Sequence, residues 1–175
     1  NTTDDLKIYE FEEKPPQPKS NLASMGIYIF TWAKLKEYLI KDEENVNSSN
    51  DFGHDVLPAM LNDGNNMFAY EFEGYWKDVG TVESLWEANM DILDANVPLN
   101  LNAPSWKVYS RNNNYPPQFI GEDAVLKNCS ITEGCEVYGK VNHSILFAGV
   151  IVEEGADVEY SVVMPGSIIR RGAVV

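Results

Sequence analysis

The sequence is short of cysteine and of long apolar runs. Its two cysteines are too few for a disulfide framework or a self-contained zinc site, so we expect Cys129 and Cys135 to be free thiols in a reducing cytoplasm. No stretch approaches the roughly 20 apolar residues that a membrane helix needs. The polar, acidic first residues do not resemble a signal peptide. We therefore expect a cytoplasmic protein with no membrane partner.

Positive charge is also scarce. Thirteen lysines and arginines face 27 acidic residues, and the formal net charge is −14. Such a chain repels a nucleic-acid backbone, so we expect no nucleic-acid partner. An anionic ligand would need locally placed lysine, arginine or metal. The hydrophobic fraction of 44% and the charged fraction of 23% are nevertheless those of an ordinary globular protein.

The most informative stretch is 70–81, Tyr-Glu-Phe-Glu-Gly-Tyr-Trp-Lys-Asp-Val-Gly-Thr. Its start alternates aromatic and acidic residues, which predicts a half-buried strand. Gly80 permits a tight turn and Thr81 is a favourable N-cap, so a helix is predicted to follow. A carboxylate at a strand end, here Asp78, is suited to hold Mg²⁺. The same position also suits a carboxylate that only stabilises a turn or a helix N-terminus.

Residues 6–11 alternate like a strand and run into a proline-rich loop. At the start of this loop, Lys14 could hold a phosphate as a point charge, and Glu13 could accept hydrogen bonds from sugar hydroxyls. The two could equally form a solvated surface ion pair.

Two further segments carry candidate binding groups. Residues 22–30 are interpreted as a buried strand in which Ser24, Gly26 and Tyr28 share one face, as a sugar platform or simply for strand packing. After a helix predicted from Trp32 to about Lys41, Asp51 opens a second helix that ends near Gly64. Asp51 could be an N-cap and nothing more.

A six-residue period begins near Phe119. Val125, Ile131 and Val137 form one series. Two further series have the same spacing: Leu146, Val152 and Val158, then Val163, Ile169 and Val175. A small or compact side chain follows four residues after most of these positions. This spacing predicts a parallel β-helix in which three hexapeptides form one triangular coil. Breaks in phase near 143–145 and 160–161 predict adjusted corners.

These motifs occur in the order found in bacterial glucose-1-phosphate adenylyltransferases, a family that the chain resembles over nearly its whole length. Trp-Lys-Asp-Val-Gly-Thr at 76–81 is similar to the family's Trp-x-Asp-Val-Gly-Thr segment. The other matches are Phe-Glu-Glu-Lys-Pro at 11–15, Ser-Met-Gly-Ile-Tyr at 24–28, Asn-Asp-Phe-Gly at 50–53 and the hexapeptide repeats.

The resemblance implies an α/β fold. Residues 1–97 are expected to be the sugar-phosphate-binding, C-terminal part of a Rossmann-like nucleotidyltransferase domain. Residues 98–118, rich in proline and asparagine, are predicted to be a linker, and 119–175 an incomplete left-handed parallel β-helix. The family's Gly-rich nucleotide loop and first metal-binding Asp have no counterpart here. We therefore interpret the chain as a fragment that is inactive alone.

The resemblance also implies the reaction of ATP with glucose 1-phosphate to give ADP-glucose and pyrophosphate, in glycogen biosynthesis. It implies Mg²⁺ as the cofactor, and a homo-oligomer to which the β-helix contributes. By the resemblance, Lys14 binds the sugar phosphate and Asp78 ligates the metal, and these two are the predicted catalytic residues. The predicted glucose pocket is lined by Glu13, Ser24, Tyr28, Asp51, Phe52 and Trp76.

Two alternatives remain at this point. One is a non-catalytic regulatory or scaffold subunit of the same family, against which the retained Lys14 and Asp78 argue. The other is a hexapeptide-repeat acyltransferase, for which His143 is the candidate catalytic residue. That alternative leaves the large α/β part unexplained.

Overall fold

The computed structural model describes residues 1–101, 103–109 and 114–175. Contacts divide the chain into two compact units, Asn1–Glu73 and Gly74–Val175. This division does not follow the predicted linker at 98–118, part of which lies outside the described residues, so the predicted domain boundaries stay a prediction.

Within the described ranges, the regular elements are four helical segments and ten short strands. The helical segments are α1 (Trp32–Glu44), one π-helical turn (Phe52–Val56), α2 (Leu57–Asn62) and α3 (Val82–Asp91). The strands are β1 (Phe119–Ile120), β2 (Val125–Lys127), β3 (Ser130–Ile131), β4 (Glu136–Val137), β5 (Lys140–Asn142), β6 (Ile145–Leu146), β7 (Ile151–Val152), β8 (Asp157–Glu159), β9 (Val162–Val163) and β10 (Ile168–Ile169). In the described part of the chain, no helix combines the length and the apolar character needed to cross a bilayer.

The first unit forms less sheet than its sequence predicts. Residues 6–8 and 67–69 pair through two backbone hydrogen bonds, Ile8 N to Met67 O (2.8 Å) and Ala69 N to Leu6 O (2.9 Å). The predicted strand at 22–30 is absent, and that prediction is wrong. A strand needs a neighbour for its backbone hydrogen bonds, and 22–30 has none among the described residues.

Helix α1 is anchored by a tyrosine. Trp32, the first residue of α1, is 67% exposed, whereas Tyr38 is buried against Val56 and Met60. The Tyr38 hydroxyl donates to Asp63 Oδ2 (2.7 Å), which satisfies its polar end.

Helix α3 begins as predicted at Thr81. Thr81 Oγ1 accepts from Ser84 N (3.1 Å) and Ser84 Oγ accepts from Thr81 N (3.1 Å), which is a reciprocal capping box. Farther along the helix, the Trp86 indole N–H donates to the Tyr160 carbonyl (2.7 Å). This bond fastens α3 to the strand-rich part of the second unit.

The strands wind into a parallel β-helix of about three turns. Its three sheets have the orders β1-β4-β7-β10, β2-β5-β8 and β3-β6-β9. The core contains Val137, Leu146, Val152 and Val158, each fully buried. These residues belong to the six-residue series, so the predicted β-helix is confirmed.

The coils are shorter than three intact hexapeptides. Val125 pairs with Lys140, fifteen residues on, and Lys140 pairs with Asp157, seventeen residues on. The shorter coil has a two-residue corner at 138–139, between β4 and β5. A Cβ atom on Gly139 would lie 2.5 Å from the Ala156 carbonyl oxygen, so this tight corner excludes every other residue.

The predicted phase breaks are corners closed by left-handed residues. Asn128, His143 and Tyr160 have φ angles of 45°, 43° and 46° and occupy equivalent positions in successive coils. The Asn128 amide donates to His143 Nδ1 (2.8 Å), and the His143 and Tyr160 rings lie 4.7 Å apart. His143 therefore has a structural role at this corner.

The same corner contains the buried hydroxyl of Ser144. Its Oγ donates to Asn142 O (2.8 Å) and accepts from Ser161 N (3.0 Å). Ser144 thereby links one coil to the next inside the solvent-free interior.

We expect Ser144→Ala to lower the free energy of unfolding by about 1–3 kcal/mol, because it leaves the Ser161 N–H without its acceptor. The Asn142 carbonyl still accepts from Tyr160 N (3.1 Å). Urea unfolding of the chain measures this change. Ser161→Ala is the matched control, since its exposed hydroxyl bonds only to Glu159 O, and a loss under about 0.5 kcal/mol is expected. Equal losses in the two variants would contradict the role of Ser144.

Candidate functional site

The loop after residues 6–11 holds an ion pair. Lys14 Nζ lies 3.2 Å from Glu13 Oε1, and the Lys14 side chain is 90% exposed whereas that of Glu13 is 27% exposed. The backbone of Lys14 is left-handed, with φ of 46°, directly before Pro15. Non-glycine residues adopt this conformation at a cost. The lysine therefore presents its charge to solvent beside a sheltered carboxylate.

Asp51 is the N-cap of the π-helical turn. Its Oδ1 accepts from Gly53 N (2.7 Å) and from His54 N (2.8 Å), so the N-cap interpretation is confirmed. Glu13 lies against the same turn: a Cβ atom built on Gly53 would be 2.5 Å from Glu13 Oε2 and 3.2 Å from Asp51 Oδ1. The fold thus brings the Glu13 loop to the Asp51 turn.

The same turn also contributes to an aromatic stack. The Phe52 and Tyr28 rings are 5.8 Å apart and nearly parallel. Ser24 Oγ lies 2.9 Å from the Tyr28 hydroxyl. Gly26, with φ of +70°, turns the backbone between them, and its N–H donates to Ser24 Oγ (3.2 Å). A turn, rather than the predicted strand, therefore places Ser24 and Tyr28 together.

Phe30 is a member of this group that sequence reasoning missed. Its ring lies 5.9 Å from Tyr28 and 6.0 Å from Phe52. The available signal was its parity with Tyr28, two residues away, although no strand forms there. Five predicted pocket residues of the first unit, together with Lys14, therefore lie around one turn, from Lys14 and Glu13 through Asp51 to Phe52, Tyr28 and Ser24.

The remaining predicted residues lie in the second unit on an extended segment. Tyr75 and Lys77 are half-buried, whereas Trp76 and Asp78 between and after them are exposed. The Tyr75 hydroxyl (2.7 Å) and Lys77 Nζ (2.9 Å) both donate to Asp91 Oδ2 of α3. Fixing one face of the segment on the helix leaves Trp76 and Asp78 on the open face.

The surroundings of Asp78 suit a residue that acts as one ligand of a metal ion. Its Oδ1 accepts from Gly80 N (3.1 Å), so it does stabilise the turn, while Oδ2 has no protein partner among the described residues. One exposed carboxylate oxygen is a suitable ligand for a hard cation. Across the described ranges, no group of three His, Cys, Asp or Glu side chains could hold a metal. Asp78 therefore offers one ligand and leaves the others to phosphates, water or further protein groups.

A surface pocket of the first unit lies away from the predicted site residues of the Asp51 turn. It has a volume of about 360 Å³ and is lined by residues of α1, the π-turn and α2, including Tyr38, Asp42, Asp55 and Asp63. None of the predicted site residues lines it. Three carboxylates outnumber the single lysine of its lining, Lys41, so the pocket is unsuited to a sugar phosphate, because like charges repel.

The Asp91 contacts make the stability of the second unit depend on pH. Bonds from Lys77 and Tyr75 hold the pKa of the Asp91 carboxyl below its ordinary range. A carboxyl whose pKa is lower in the folded state stabilises the fold above about pH 4, and this contribution is lost as the pH falls through the folded pKa.

We expect Asp91→Asn to be less stable than the wild type near pH 7 and to lose less stability between about pH 4 and pH 2. Thermal unfolding measured from about pH 2 to pH 7 tests both effects. Asp94→Asn is the control, since its carboxylate bonds only to Asn96 in its own turn. Parallel acid profiles for wild type and Asp91→Asn would contradict the assignment.

Curated relatives match the whole chain. Glucose-1-phosphate adenylyltransferases of Bacillus cereus, Bacillus thuringiensis and Bacillus anthracis are each 59% identical over all 175 residues. The matched region is 46% of each relative, so the chain spans about half the length of the curated relatives it matches.

Two family models divide the chain in sequence order. Residues 116–175 match the model described as GlmU-like, C-terminal hexapeptide, in agreement with the β-helix. Residues 1–95, more than half of the chain, match the model described as nucleotidyl transferase, and they include every predicted site residue. The chain therefore belongs to the nucleotidyl transferase family.

Proposed function

We propose that this chain forms part of a glucose-1-phosphate adenylyltransferase, an enzyme that makes ADP-glucose and pyrophosphate from ATP and glucose 1-phosphate for glycogen synthesis. Its relatives at 59% identity carry that name. Because the chain spans about half of their length, we assign the activity to a protein of their full length that contains these residues. We expect the 175 residues alone to be inactive.

The observation that carries this proposal is the position of Lys14 and Glu13 at the Asp51 turn. In a chain with a net charge of −14, Lys14 offers an exposed cation directly beside a sheltered carboxylate. A sugar phosphate needs this combination, a cation for its phosphate and an oxygen acceptor for its hydroxyls. The stacked rings of Tyr28 and Phe52 add an apolar surface for a pyranose face.

In the proposed reaction, a phosphate oxygen of glucose 1-phosphate attacks the α-phosphorus of ATP. A bond forms between that oxygen and the α-phosphorus, and the bond from the α-phosphorus to the bridging β-phosphate oxygen breaks. Pyrophosphate leaves with that electron pair. No covalent enzyme intermediate is needed, so the protein acts by positioning and charge neutralisation.

Each residue has a stated part in this scheme. Lys14 orients the attacking phosphate and offsets its charge. Glu13, Ser24 and the Tyr28 hydroxyl bind sugar hydroxyls, and the Asp51 turn and Phe52 bound the sugar pocket. Trp76 of the second unit stays a predicted sugar-binding residue. Asp78 is the ligand that this chain offers to a divalent cation, proposed to be Mg²⁺. When bound, that ion neutralises charge on the reacting phosphates.

Two features of the second unit bear on assembly and location. On the β-helix, Val174 is 82% exposed and Val175 is 52% exposed. We propose that such exposed apolar side chains on the β-helix contact another copy of the chain.

Cys129 and Cys135 are free thiols, which supports a reducing compartment such as the cytoplasm.

Self-association can be tested by light scattering over a concentration series. We expect the 175-residue chain to form oligomers that Val174→Lys with Val175→Lys weakens, because two buried cations at a contact are unfavourable. Val46→Lys, at an exposed loop position of the first unit, is the control. A monomer at every concentration would refute the proposal, and an oligomer indifferent to the two lysines would exclude this contact.

We expect Lys14→Ala in the full-length protein to raise KM for glucose 1-phosphate about ten- to a hundredfold, since a charge-assisted hydrogen bond contributes about 1.5–3 kcal/mol. KM for ATP should change far less. Steady-state assays of pyrophosphate release measure both constants. Lys19→Ala, in the same proline-rich loop and paired with Glu10, is the control and should leave both unchanged.

An equal rise in KM for glucose 1-phosphate and for ATP would contradict the assignment of Lys14 to the sugar-phosphate site. A wild-type protein of full length that makes no ADP-glucose would reject the proposed reaction itself and would favour a regulatory or scaffold subunit.

A further inference from the structure

Gly53 lies between two carboxylates of the first unit. A Cβ atom at this position would be 2.5 Å from Glu13 Oε2 and 3.2 Å from Asp51 Oδ1. Real Cβ atoms do not approach another heavy atom to within 2.5 Å, so any side chain here must displace one of these groups. Asp51 is held in place, because its Oδ1 accepts hydrogen bonds from Gly53 N and His54 N.

The backbone does not require glycine at this position. Gly53 is not among the residues with positive φ, and it lies in a helical turn. Alanine is favoured over glycine in helical turns. The need for glycine therefore arises from the approach of Glu13 and not from conformational freedom.

A side chain at position 53 would displace Glu13 rather than Asp51. Its carboxylate is the far end of a flexible side chain, whereas Asp51 is fixed by the turn that it caps. Glu13 Oε1 also pairs with Lys14 Nζ at 3.2 Å. A displaced Glu13 would therefore shift the anchor of Lys14 as well.

We propose that Gly53 is a positioning residue whose missing side chain seats the Glu13 carboxylate, and through it Lys14, for a sugar phosphate. This inference rests on the proposed function and adds a residue to its specificity-determining set. Gly53 acts through Glu13 and needs no contact with the substrate.

Gly53→Ala in the full-length protein tests the proposal. We expect KM for glucose 1-phosphate to rise about tenfold or more, because displacing a binding group by about 1 Å is costly. KM for ATP and kcat should stay within about twofold, and the melting temperature should be unchanged or higher. A merely structural role would lower the melting temperature and would not separate the two KM values.

A double-mutant cycle with Glu13→Ala supplies the decisive control. If Gly53 acts through Glu13, then adding Gly53→Ala to Glu13→Ala should change KM for glucose 1-phosphate by less than about twofold. Combining Glu13→Asp, whose side chain is one methylene shorter, with Gly53→Ala should recover part of the affinity for glucose 1-phosphate that Gly53→Ala alone loses. Additive effects in the cycle, or an unchanged KM in Gly53→Ala, would overturn the inference.

The same assays separate this inference from the proposed function. If the wild type forms ADP-glucose and Gly53→Ala has the same kinetic constants, the role of Gly53 is overturned and the proposed reaction stands. Wild type without turnover would overturn both.

Discussion

Each coil of the β-helix depends on its neighbours for the backbone hydrogen bonds of its strands, and this constraint organises the second unit. Every strand is two or three residues long, far too short to be stable alone. The coils must therefore stay in register, and the corners decide whether they do. Gly139 permits a two-residue corner because no side chain fits beside the Ala156 carbonyl. At another corner, Ser144 bonds to two backbone groups where water cannot reach them.

The segment that carries Trp76 and Asp78 is ordered by a different means. It forms no strand, so no backbone hydrogen bonds to a neighbouring strand hold it in place. Instead, the side chains of Tyr75 and Lys77 both donate hydrogen bonds to Asp91 of α3. Because an extended backbone alternates its side chains, anchoring one face exposes the other. The Trp86 bond to Tyr160 then ties the same helix to the β-helix. The candidate metal ligand is thus presented on an anchored segment.

The first unit assembles its candidate site around a turn. The Asp51 cap fixes the turn, the Glu13 carboxylate lies close to Gly53, and the Tyr28 ring stacks on Phe52. Such a site tolerates little change in volume, because groups from three separate stretches of chain share a small space. A glycine at the centre is the simplest way to let them approach. The acidic background of the chain makes Lys14 a distinctive charge at this place, which is why it carries the functional proposal.

Features that depend on neighbours in sequence were predictable from sequence alone. The caps at Asp51 and Thr81, the end of the second helix at Gly64 and the β-helix core follow from local hydrogen bonding and from periodicity. The absence of a strand at 22–30 was not predictable in this way, since a strand forms only when another backbone pairs with it. The approach of Glu13 to Gly53 and of Trp86 to Tyr160 joins residues 40 positions (13 to 53) and 74 positions apart. No local pattern encodes such contacts, because they arise only when packing brings distant segments together.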